Sequence, residues 1–141
     1  MRGDQITMKR MSKVGALVVI GLALVCANVA GAHHSFAAFD TTKEITLKGT
    51  VKEFKFENPH VNVIITVTDP KDGHATDWFF EAASVRGLVM TGWRKSTLKP
   101  GDVVTLTGHP IRDGRPGASL MRAQLADGTI LQANPLAIQN Y

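Results

Sequence analysis

The stretch ITLKGTVKEFKF, residues 45–56, decides how this chain folds. Ile45, Leu47 and Val51 share one phase of a two-residue period, with Gly49 between them, and Phe54 and Phe56 fall in the other phase. A period of two belongs to a strand with one buried face, because successive side chains point to opposite sides. The phase slips at Lys52-Glu53. One extra residue at that point is a β-bulge, which bends a strand and raises its twist. The stretch therefore predicts one long, strongly bent strand.

Working outward, Asn58-Pro59 marks a turn, and Val61, Val63, Ile65 and Val67 alternate as a second strand. Asp69-Pro70-Lys71-Asp72-Gly73 closes it, and Thr76 to Ala82 follow as a third strand with Trp78 and Phe80 on one face. The period then changes. Ser84 is placed to cap a short helix from Val85 to Thr91, whose Val85, Leu88 and Val89 form an i, i+3, i+4 stripe. Gly92 stops the helix and Trp93 packs just beyond it. Pro100-Gly101-Asp102 leads tightly into a fourth strand, Val103 to Gly108. The turn dipeptides Asp113-Gly114 and Asp127-Gly128 bracket a fifth, Ala118 to Leu125, and Thr129 to Gln132 is a short extended piece that pairs back onto it. Three strands, one helix and two strands predict an all-β domain with one short helix, the five-stranded Greek-key OB-like barrel. A two-sheet sandwich would want about seven strands.

The 141 residues, 44% hydrophobic, suit one domain with a modest core. A single cysteine excludes an internal disulfide framework and a cysteine-based zinc or iron–sulfur site. The first 32 residues read as a secretory signal peptide. Lys9, Arg10 and Lys13 precede the uncharged run Val14 to Val25, and Ala30-Gly31-Ala32 supplies the small residues at a cleavage site. The uncharged run to His33 also has about the 20-residue length of a bilayer span, but the abrupt polarity after Ala32 favours removal. Val25 before Cys26 stands where a lipoprotein signal needs a small residue. Met8 or Met11 would serve equally well as the start. Residues 33–141 then form a single small barrel with an N-terminal arm. Without Arg2, Lys9, Arg10, Lys13 and Asp4 that part keeps 12 basic and 11 acidic residues, a net of +1. It lacks the basic stripe a nucleic-acid partner would want, and it asks for no membrane. Periplasmic or secreted localisation follows as the expectation.

The pieces HHSFAAFD, ITLKGTVKEFKFENPH, DWFFEAAS and LKPGDVVTLTGHP together resemble a family of small exported bacterial proteins, the domain-of-unknown-function family 6152. The resemblance covers essentially all of residues 33–141 and implies a periplasmic or secreted small β-barrel with no assigned activity. The family often carries an aromatic residue shortly after NPH, where this chain has Asn62.

Histidines and aromatics are the residues able to carry chemistry. Cleavage after Ala32 would make His33 the terminal residue, whose amine and imidazole chelate one metal ion together. Copper(II) favours such nitrogen ligands in tetragonal geometry. His34 belongs to the same set, since cleavage one residue earlier places it third in Ala-His-His. His60 or His109 would complete the site. The plainer reading makes His33 and His34 solvated, His60 and His109 hydrogen-bonded to nearby carbonyls, and His74 an exposed loop residue. Trp78, Phe80 and Trp93 are candidates for stacking on a ligand, as barrels of this class do. The competing reading packs them, with Phe54, into the core. Phe36 and Phe39 pin the arm to the barrel wall.

Catalysis finds little footing. Asp77 and Glu81 share a strand face, as a carboxylate pair requires, but also read as solvent-facing partners of an alternating strand. No serine sits in a nucleophile elbow, and the glycines from Gly108 to Gly117 are turn punctuation. The sequence thus predicts an exported non-catalytic binding module for a peptide, glycan or protein partner, with no required cofactor. The alternative is a periplasmic copper-binding protein using His33, His34 and His60.

Overall fold

The computed structural model describes residues 37–133. The expected signal segment therefore lies outside the described residues, as do Phe36, His33 and His34. The elements are β1 (Ile45–Lys55), β2 (Asn62–Thr68), β3 (Ala75–Glu81), α1 (Val85–Met90), β4 (Val103–Pro110), β5 (Gly117–Gln124) and β6 (Ile130–Gln132). Each lies within two residues of its sequence-predicted ends. Among the described residues, no helix is long and apolar enough to cross a membrane.

The hydrogen-bonded order is β3-β2-β1-β4-β5-β6, with β3 also paired to β5. The first five strands therefore close on themselves, and β6 is appended outside the ring. Closure runs through the parallel pairs Phe79↔Gly117, Phe80↔Ala118 and Glu81↔Ser119. With a helix between the third and fourth strands, this is the OB-like Greek-key barrel.

β1 makes closure possible by serving two neighbours. Ile45 to Thr50 pair with β4, while Thr50 to Lys55 pair with β2. The register slips between Val51 and Glu53, at the bulge the sequence placed there. Val51 lies opposite Ile65 and Phe54 opposite Val63, so two inward side chains stand three residues apart. A regular strand would send one of them outward. Gly49 sits inside this bend. A Cβ there would lie 2.7 Å from the Thr66 carbonyl oxygen, closer than real Cβ atoms come to a backbone.

Inside the ring, Val51, Val61, Val63, Ile65, Phe80 and Leu106 are fully or almost fully buried. α1 closes one end of this core. Ser84 caps it by accepting the Gly87 N–H at 3.3 Å, Asn58 Oδ1 accepts the Val85 N–H at 3.2 Å, and Leu88 has no exposure. Gly92, at φ +97°, turns the chain back so that the Trp93 N–H meets the Leu88 carbonyl at 3.0 Å. The Trp93 ring packs against Phe54 at 6.1 Å between centroids and donates its indole N–H to Gln132 O at 2.8 Å. The arm holds as expected at Phe39, which is 5% exposed and bridges to Ile111. Asp40 N–H donates to Pro110 O and Arg112 N–H to Ala38 O.

Candidate functional site

Alternation on β3 sends Thr76, Trp78 and Phe80 towards the interior and Asp77, Phe79 and Glu81 outward. On the outer face one row runs Glu53, Ile64, Phe79 and Gly117 across four strands. Gly117 leaves space that Ile111 occupies, since a Cβ on it would stand 2.6 Å from Ile111 Cδ1. Phe79 is 36% exposed, with Ile64 and Ile111 half-buried near it. The result is a small apolar centre on the outer β2–β3 face.

Paired charges surround that centre. The Lys52 ammonium binds Asp77, and Thr66 Oγ1 donates to Asp77 Oδ1 at 2.8 Å. These two donors, lysine first, hold the Asp77 carboxyl below its ordinary value. Lys55 pairs with Glu53 at 3.2 Å, and His60 Nδ1 lies 2.9 Å from Glu81 Oε1. On the β4–β5 loop, Arg115 pairs with Asp113 at 2.8 Å. The Arg115 backbone N–H, ahead of its guanidinium, lowers the Asp113 carboxyl. Asn62 Oδ1 is buried without a hydrogen-bond partner among the described residues, at the position where the resemblance expected an aromatic.

The sequence-predicted residues fall in different places. Phe80 and Trp93 have no solvent exposure, so neither offers a ring face to a ligand arriving from outside. The reading of these two as stacking residues is corrected: barrel closure and α1 seal them into the core. Trp78 is half-buried and lines a hollow of about 300 Å³ at the β2–β3 hairpin. His60 is held by Glu81, and His109 donates from Nδ1 to Lys43 O at 2.6 Å. No group of three His, Cys, Asp or Glu side chains able to hold a metal ion occurs among the described residues. Asp77 and Glu81 are each engaged with a different basic partner. Phe79 was absent from the predicted site. Its signal was the phase opposite to Trp78 and Phe80, which marks an aromatic outside whenever those two lie inside.

No curated protein matches the chain. Among solved structures it is similar to the crystal structure of the mitochondrial single-stranded DNA binding protein Rim1 from S. cerevisiae. The identity is 10% and the TM-score 0.47, over 60% of this chain and 93% of that one. The model of a family of unknown function, DUF6152, matches residues 22–119, and the chain belongs to that family.

Proposed function

We propose that this protein is an exported, non-catalytic binding module that holds a peptide or a protein segment on the outer β2–β3 face. The exposed Phe79 ring, in register with Ile64 and next to Ile111, carries the reading. That face is where barrels of this fold hold oligonucleotides and oligosaccharides. An apolar centre rimmed by polar groups is also the anatomy of a protein interface. A polyanion would need unpaired cations to replace its counterions. Here Lys52, Lys55 and Arg115 each already face a carboxylate, which favours a peptide over a nucleic acid. Export rests on the charge pattern of residues 1–32.

The test is selection of binding peptides on the purified protein, repeated with Phe79→Ala. Loss of an exposed aromatic anchor is expected to weaken binding tenfold or more, roughly 1.4 kcal/mol or above, with little change in thermal stability. Equal affinity for both proteins would sink the reading.

A copper role keeps one observation in its favour. Metal-binding histidines commonly give one ring nitrogen to a carboxylate, and the His60–Glu81 contact leaves Nε2 as the other. Adding one residue ahead of His33 should then reduce copper(II) affinity sharply. An unchanged titration means that the terminal amine is not a ligand.

A further inference from the structure

The hollow at the β2–β3 hairpin lies on the opposite side of β3 from Phe79. There the inward row of β3 runs out of the sealed core. Phe80 is fully buried, and Trp78, one step along, is half-buried and lines the hollow. The indole, Val67 and Pro70 give the hollow an apolar side, while Asp69, Asp72 and His74 give it a polar one. The hairpin that carries them is pre-shaped. Asp69 N–H donates to His74 O at 2.8 Å and Gly73 N–H to Asp69 O at 2.9 Å. Asp69 Oδ1 accepts the Lys71 N–H and Asp72 Oδ1 the His74 N–H, each at 2.8 Å. Those bonds use one oxygen of each carboxylate and leave Oδ2 for other donors.

We propose that this hollow is a binding site for a single uncharged sugar ring. A pyranose presents two chemistries at once, an apolar face of C–H groups and an edge of hydroxyls. The first matches the indole of half-buried Trp78, which lines the hollow with Val67 and Pro70. The second matches carboxylate oxygens as acceptors and an imidazole that serves as donor or acceptor. Asp69 and Asp72 on the rim, in a lining without lysine or arginine and with His74 as its basic group, oppose phosphorylated and uronic sugars. The site is independent of the peptide reading, because Phe79 faces the other way.

The chain contains two tryptophans, and Trp93 is fully buried, so a ligand-induced change in intrinsic fluorescence reports on Trp78. The purified protein would be titrated with methyl glucopyranoside, N-acetylglucosamine, glucuronate and an aliphatic ammonium salt. A saturable change with a neutral sugar is expected, at least tenfold weaker with glucuronate. An Asp69→Asn/Asp72→Asn variant keeps the Oδ1 acceptors that shape the hairpin and removes the charge. It should weaken neutral-sugar binding about tenfold, whereas Phe79→Ala should leave the titration unchanged. Three results would overturn the site: no saturable change with any neutral sugar at roughly 100 mM, equal binding of glucuronate, or a response to the ammonium salt alone, which would make it an organic-cation site.

Discussion

Gly49 and Gly108 stand where two backbones come too close for any side chain. A Cβ on Gly108 would lie 2.1 Å from Ser119 O, and one on Gly49 2.7 Å from Thr66 O. Gly49→Val is therefore expected to destabilise the barrel by about 1–3 kcal/mol, read as a lower melting temperature. An unchanged melt would mean that β1 is not tightly bent there. Asp40 acts by charge instead. The Thr42 hydroxyl first, then the Lys43 ammonium, pull its carboxyl down to about 2 from an ordinary 3.8. A depressed carboxylate stabilises the fold above its ordinary value and loses that contribution as pH falls towards 2. Asp40→Asn should flatten this part of the acid melting profile. An identical profile in the variant would show that the arm contact does not depend on ionisation.

Elements were legible wherever their cause was local. The bulge showed as a slip of phase at Lys52-Glu53, and the helix as a serine cap ending at a glycine. Ser84→Ala removes the acceptor for the Gly87 N–H and should cost about 1 kcal/mol in a denaturant melt. A cost near zero would mean that the Asn58 contact to Val85 is sufficient alone. The candidate site was less legible, because burial depends on partners distant in sequence. Trp93 was readable both as a stacking residue and as a core one, and its full burial with the indole N–H donated to Gln132 O decides for the core. Trp78 and Phe80 share a face, yet only Phe80 lies deep enough for the ring to seal it. Phe79 stands in the opposite phase in the sequence, and the burial of Phe80 inside the closed barrel makes its face the outer one.

For the whole molecule, the balance of charge matters more than its sum. The net +4 of the full chain reflects Arg2, Lys9, Arg10 and Lys13, far from the β2–β3 face in sequence. The residues of that face arrive already matched, cation to carboxylate. A single-stranded oligonucleotide should therefore fail to bind the isolated barrel at physiological salt. Tight binding that falls steeply with added salt would reverse the preference for a peptide.

The appended strand β6 has a consequence of its own. It lies outside the closed ring, pairs with β5 alone among the described strands, and is three residues long. The ring does not need β6 for its closure, so a partial opening at β6 is expected below the free energy of global unfolding. Its backbone amides should exchange with deuterium well before those of β1 and β4. Each such excursion would strip the Trp93 indole of its Gln132 acceptor and admit water to one end of the core.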